Sequence, residues 1–270
     1  MGPMLTIATV NVNGIRAAYR KGMGDWLTQT NPDILLLQEV RATDEIAAEL
    51  IGEGWTVMHE ACEIKGRAGV AIATRLPVTA VRYGVAPEGV DQVPVDTGRW
   101  AEADITTSNG AQLTVISAYL HSGTAGTPKM DQKYAHLDLV DVRLGELMAA
   151  GNHALLAGDI NIAHTNNDIK NWKGNLKAAG FLPEERAYLD KWFGAGWVDI
   201  ARKHAGDVPG PYTWWSNRGQ AFTNDAGWRI DYQIATPALA ELATNPRVDR
   251  AASYETRWSD HAPLLVDYNL

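Results

Sequence analysis

Along this chain, one apolar stretch after another runs out into a side chain able to do chemistry. Asn11 and Asn13 follow the first stretch, Gln38 and Glu39 the second. Tyr119 and His121 follow Leu113–Ala118, and Asp159 and Asn161 follow Ala154–Ala157. Asp260 and His261 precede the last stretch. Carboxylates, amide carbonyls and water are the donors that Mg2+ and Mn2+ accept, so oxygens of this kind converging at strand ends point to a divalent-cation site. Asp231 adds a constraint. Its neighbours Ile230, Tyr232 and Ile234 describe a buried strand, and a buried acid needs a partner. His261 is a candidate, giving an Asp–His pair that would orient an imidazole.

These residues are carried by short apolar runs alternating with a few helical stretches. Leu5–Val10 reads as a strand, Ile15–Gln29 as a helix with internal glycines, and Ile34–Gln38 as a strand covered on both faces. Thr43 caps a helix to Leu50, with Asp44 and Glu45 in its first turn. Trp55–Ala61, Gly69–Thr74 and Val78–Tyr83 read as consecutive strands. Trp100–Thr106 and Leu113–Tyr119 flank Ser-Asn-Gly, a hairpin signal. Tyr134, Leu137, Val140, Leu144 and Leu147 recur at helical spacing within Lys129–Ala150. Ala154–Ala157 reads as a buried strand and Glu184–Phe193 as a helix; Tyr212–Trp215, Trp228–Ala235 and Leu264–Tyr268 read as closing strands. In open α/β folds, ligands collect where strand ends meet loops.

Composition bounds the reading. The chain has 270 residues, a net charge of −8 and 46% hydrophobic residues, enough for a sizeable core and too apolar for a disordered tail. A single cysteine, Cys62, excludes an internal disulfide and a four-cysteine zinc site and fits a reducing cytoplasm. The N-terminal segment lacks the basic start of a signal peptide, and no window approaches 18 uninterrupted apolar residues, so no membrane span is expected. The acidic balance argues against a general nucleic-acid coat but leaves room for a local basic cleft. No linker or repeat interrupts the chain, which predicts one mixed α/β domain over residues 1–270.

The ordered motifs resemble the exonuclease III family of apurinic/apyrimidinic endonucleases, in the endonuclease/exonuclease/phosphatase superfamily. They are Asn11-Val12-Asn13-Gly14-Ile15-Arg16-Ala17, Leu37-Gln38-Glu39, Gly69-Val70-Ala71-Ile72, Gly98-Arg99, Ala118-Tyr119, Gly158-Asp159-Ile160-Asn161-Ile162-Ala163-His164, Gly227-Trp228-Arg229-Ile230-Asp231-Tyr232 and Ser259-Asp260-His261-Ala262-Pro263. The resemblance implies a four-layer α/β/β/α sandwich of two mixed β-sheets flanked by helices. It implies a monomeric, Mg2+-dependent enzyme, with Mn2+ as a substitute, that cuts double-stranded DNA 5′ to abasic sites and trims blocked 3′ ends. One departure stands out. The family pattern often continues Tyr-x-Pro and an amide residue, whereas this chain reads Tyr119-Leu120-His121-Ser122-Gly123. That loop leaves the balance of endonuclease and exonuclease activity open.

Carried onto these positions, the resemblance assigns Asp159 to the attacking water and Asn161 to that water or a phosphate oxygen. Glu39 is the first metal ligand, with Asn11 beside it directly or through water, and Asp260 is the second acidic contributor. His261, paired with Asp231, donates to a phosphate oxygen, and Asp159, Asn161 and His261 are counted with the metal ligands. Tyr119 hydrogen-bonds the phosphate or the leaving group. Trp214 and Trp228 form an aromatic pocket for a sugar without its base, while Trp215 is either pocket or core. Arg99 is a phosphate contact and Arg229 either that or structural. Lys170 and Asn175, in a segment with Asn166, Asn167, Asn171, Trp172 and Lys173, form a DNA-backbone surface. The alternative within the superfamily is a phosphatase of small phosphate esters or lipids.

Overall fold

A computed structural model describes residues 3–270, so the first two residues of the expected domain lie outside the description. Two six-stranded mixed sheets make up its centre. The first holds β1 (Met4–Asn11), β2 (Ile34–Gln38), β3 (Thr56–Glu60), β4 (Val70–Thr74), β11 (Ala243–Val248) and β12 (Leu264–Asn269), in the order β11-β12-β1-β2-β4-β3. The second holds β5 (Val78–Tyr83), β6 (Trp100–Thr106), β7 (Gln112–Tyr119), β8 (His153–Asp159), β9 (Val198–Asp199) and β10 (Asp231–Ala235), in the order β5-β6-β7-β8-β10-β9. Helices α1 (Ile15–Arg20), α2 (Met23–Thr30) and α3 (Asp44–Ile51) cover the first sheet. Helices α4 (Lys129–Ala150) and α5 (Pro183–Gly194) cover the second, while α6 (Ile200–Ala205) and α7 (Pro237–Ala240) are short connectors. The four-layer expectation holds.

The period-2 alternation of strands builds the layers and also places the site. Leu5 and Ile7 of β1, Ile34 and Leu36 of β2, Leu113 and Val115 of β7, and Leu155 and Ala157 of β8 point between the sheets into one apolar core. The intervening residues, such as Ala8, Leu35, Ile116 and Leu156, pack under the helices. Followed towards the other end of the strands, the inward face turns polar. Gln38 Nε2 donates to Thr9 Oγ1 at 3.0 Å and to Ser117 Oγ at 3.1 Å, joining the two sheets. Gln233 Nε2 donates to the carbonyls of Ile7 and Leu264, and Tyr268 donates to Gln233 Oε1 at 2.9 Å. One further step in phase lie Asn11, Tyr119, Asp159 and Asp231, at the open end of the sandwich.

Several expectations change. The helix expected over Ile15–Gln29 is two helices, because Gly22 sits at φ 115 and ends the hydrogen-bond ladder. Val78–Tyr83 follows β4 in sequence but pairs in the other sheet. Tyr212–Trp215 and Trp228–Ile230 are not regular strand: Trp214 makes isolated bridges to Trp228 and His261, and the ladder begins only at Asp231. β11 escapes sequence reading because Asn245 and Pro246 break its pattern, which an edge strand tolerates. Thr43 caps α3 as expected, and the Ser-Asn-Gly turn joins β6 to β7.

Candidate active site

Strand register brings the acids together. Tyr119 lies opposite Asp159 in the parallel β7–β8 pair, and Asp159 opposite Asp231 in the antiparallel β8–β10 pair. Asn11 lies opposite Gln38 in β1–β2, so Glu39 projects from the next position. The loops that leave these strands are bent by non-glycine residues in the left-handed region: Asn13 at φ 46, Glu39 at φ 48 and Asn161 at φ 55. Asparagine adopts this conformation at little cost, but a glutamate there is strained, the kind of outlier held in place at functional sites. Gly158 precedes Asp159 because a Cβ there would meet the Ala118 carbonyl oxygen at 2.1 Å.

The amide of Asn11 is the hinge of the arrangement. Its Nδ2 donates to Glu39 Oε2 at 2.7 Å and to Asp159 Oδ2 at 3.0 Å. Its Oδ1 accepts the Asn13 N–H at 2.9 Å. One lone pair of the Asn11 carbonyl is thus engaged by the backbone, and its nitrogen holds the two carboxylates together. Asp159 Oδ1 accepts the Asn161 N–H at 3.0 Å, and Asn161 Nδ2 donates to the Leu120 carbonyl at 2.7 Å. Glu39 also pairs with Arg41 at 2.5 Å, a partner that sequence reading missed.

His261 stands between two acids. Its Nδ1 is 2.8 Å from Asp231 Oδ2, and its Nε2 is 3.7 Å from Asp159 Oδ2. Thr213 Oγ1 accepts the N–H groups of Ile230 and Asp231 and fixes that strand end. Burial on its own would lower the imidazole pKa, but Asp231 and Asp159 outweigh it and raise His261 to about 10. The two acids thus bias the site histidine towards its protonated, donating form. Burial, and then the Asp231 carboxylate, push Asp159 up to about 8. Burial, Glu39 and Asp159 hold the Tyr119 phenol well above its ordinary value, so it keeps its proton.

Oxygen donors of the kind a hard divalent cation takes stand here: the Glu39 and Asp159 carboxylates share the Asn11 amide. Asp260 Oδ1 is buried without a hydrogen bond, while its Oδ2 accepts from the Trp214 indole at 3.1 Å. Asp159, Asp231 and His261 also lie close enough for one ion to span them.

Beside His261 stand the half-buried Trp214 and Trp228, 6.0 Å apart and nearly perpendicular, with Trp214 6.4 Å from His261. They pack on Ile169, Phe181 and Trp172, which links this wall to the segment carrying exposed Lys170 and Lys173. In that segment Asn175 Nδ2 binds the Asn171 carbonyl. Trp215 is core, fully buried with its indole on Asp225. Arg229 is not a DNA contact. It is fully buried, with Nε on Asp168 at 2.7 Å and its other nitrogens on Asp199 at 2.7 and 3.0 Å. Arg99 is tied to the carbonyls of Val95 and Tyr119 and lies 5.0 Å over the Tyr119 ring, so it steadies that tyrosine.

A four-layer α/β sandwich with buried acids and one charged histidine at its mouth is the architecture of a hydrolase of phosphate esters. Residues 8–261 match the Endonuclease/Exonuclease/phosphatase family, and the chain belongs to that family. An exodeoxyribonuclease of Bacillus subtilis is 31% identical over 96% of this chain and 98% of its own length. An AP endonuclease from Archaeoglobus fulgidus superposes with a TM-score of 0.82 at 30% identity, over 98% of this chain and 100% of that one. A 3′ phosphatase from Neisseria, bound to a product DNA hairpin, superposes with a TM-score of 0.83 at 26% identity, over 98% and 99% of the two chains. No helix among the described residues is long and apolar enough to cross a membrane.

Proposed function

We propose that this chain is a Mg2+-dependent DNA repair nuclease that hydrolyses the phosphodiester 5′ to abasic sites in duplex DNA and also trims 3′ ends. The observation that carries this reading is the Trp214–Trp228 wall beside His261, flanked by the Lys170 segment. An aromatic wall accepts the apolar face of a sugar that has lost its base, and the lysines meet the flanking backbone. The relatives named for DNA cleavage and the DNA-bound neighbour support the same substrate class.

The chemistry then divides among the residues. Asp159, held by the Asn11 amide and the Asn161 N–H, takes the proton of the attacking water. His261, a cation because of Asp231 and Asp159, donates to the phosphoryl oxygen on which charge grows. The protonated Tyr119 donates to a phosphate oxygen, and Asn161 steadies the water. A divalent cation held by Glu39, Asp159 and Asp260 would neutralise phosphoryl charge and keep Asp159 ionised. The enzyme acts as a monomer in the cytoplasm.

The test is a labelled duplex with one abasic-site analogue, incubated with Mg2+ or with EDTA, its product ends mapped. The reading expects a single cut 5′ to the lesion, leaving a 3′-hydroxyl, and no cut in EDTA. Turnover of inositol phosphates with an intact abasic duplex would replace it with the phosphatase reading.

A further inference from the structure

The site described above is one of two groupings of three carboxylate or imidazole residues among the described residues that could hold a metal ion. The second lies behind Tyr119. Asp96 ends the short turn Pro94–Asp96, His121 comes from the loop after β7, and His136 from the buried face of α4. His121 Nε2 is 2.6 Å from Asp96 Oδ1. The rings of His121 and His136 meet edge to face, centroids 5.2 Å apart at 87°. One donor atom from each of the three residues lies within 4.8 Å of the others.

His136 makes this grouping unusual. It is 1% exposed, and its Nδ1 is sealed off with no hydrogen-bond partner. Buried ring nitrogens are normally paired, and an orphan calls for an explanation such as an unseen ion. An unpaired, buried ring nitrogen in a residue grouped with a second imidazole and a carboxylate is what a metal ion would satisfy. His121 also stands where the family pattern commonly has proline, so the departure in the Tyr119 loop is what supplies the second imidazole.

We propose that Asp96, His121 and His136 form a transition-metal site suited to Zn2+, separate from the catalytic cation site. Two imidazoles and one carboxylate make a zinc donor set, with a fourth position left for water. His121 also lines a cavity of about 120 Å3, with Ser122, Gly123, Arg99 and Arg67. The surrounding charge selects against Mg2+. Asp96 is the one anion of the set, and the cations Arg99 and Lys133 both act on His121. An ion held mainly by charge gains little there, whereas Zn2+ or Co2+ gains from the imidazole lone pairs. A bound ion would tie the Pro94–Asp96 turn, the loop that leaves Tyr119 and α4 into one unit, and so fix the Arg99–Tyr119 stack.

The test uses the full chain, stripped with EDTA, returned to excess Mg2+ and titrated with Co2+. The site predicts visible d–d absorption of a four-coordinate ion, saturating at one Co2+ per chain and bleached by Zn2+. His136→Phe and His121→Gln should each weaken Co2+ binding by more than the roughly 10- to 100-fold that loss of an outer partner costs. Glu39→Gln should leave it unchanged. Zn2+ should raise the melting temperature of the wild-type chain and not that of either histidine variant. Absence of the absorption in the wild-type chain would overturn the proposal. So would its persistence in both histidine variants, which would place the ion elsewhere.

Discussion

The catalytic grouping and the one behind Tyr119 use the same two residue types and reach opposite charge states. At the mouth of the sandwich, two carboxylates flank one imidazole, and His261 is pushed up to about 10 despite its burial. Behind Tyr119, two imidazoles share one carboxylate beside Arg99. There burial dominates and pushes His136 down to about 3 and His121 below its ordinary value. Burial acts identically on both; the ratio of acids to imidazoles decides which outcome wins. A cationic histidine donates from both ring nitrogens, whereas a neutral one donates from one and keeps the other as a lone pair for a proton or a metal. The comparison therefore separates a residue for chemistry from residues for holding an ion.

The largest expected effect breaks the charge state at the mouth. With metal and DNA saturating, wild-type turnover should stay high through pH 6.5 and fall only as pH climbs towards 10, because the protonated imidazole is the working form. Asp231→Asn removes the strongest support for that proton, so the fall should move towards neutral pH, visible in a pH–rate profile. A wild-type rate that instead drops as pH rises through 6.5 would mean a neutral His261 at rest. Next in size, Glu39→Gln should raise the Mg2+ needed for half-maximal rate tenfold or more, since one charge beside the cation is worth on the order of 1.4 kcal/mol at least. An unchanged metal titration would remove Glu39 from the cation site.

Smaller again is the aromatic wall. Trp228→Ala should raise KM for an abasic duplex roughly fivefold with kcat little changed, stacking on one ring being worth about 1 kcal/mol. Smallest is the backbone surface. Lys170→Ala should lower the slope of log binding constant against log salt by about 1. Arg229→Met should leave that slope alone and lower the melting temperature, because it strands the buried Asp168 and Asp199. A changed salt slope in Arg229→Met would restore that arginine to the DNA surface.

Much of the mouth was legible in sequence because period-2 alternation leaves a signature. Asn11, Tyr119, Asp159 and Asp231 sit in phase with the apolar residues of their own strands, so reading the strand reads the site. The Asp231–His261 pair followed from the cost of burying an acid in an apolar run. What stayed hidden depends on contacts between segments far apart in the chain. Asp96 and His136 come from a loop and a helix 40 residues apart, and an apolar helix face gives no hint that one of its residues is an unpaired imidazole. Arg229 reads as a basic residue beside a recognition tryptophan, and only the fold brings Asp168 and Asp199 onto it. The orientation of the Asn11 amide was equally out of reach, because it is set by the N–H of Asn13 in a left-handed turn.

The central claim is that Asp231 and His261 work as one unit, with Asp231 fixing the charge and orientation of the imidazole that meets the phosphate. The most direct measurement is a double-mutant cycle on abasic-duplex turnover, with DNA binding followed in parallel. His261→Ala and Asp231→Ala should each lose on the order of 100- to 1000-fold in kcat while binding the duplex nearly as well as the wild type. The double variant should be little worse than His261→Ala alone. Losses that multiply in the double variant, or near wild-type turnover in either single one, would contradict the account.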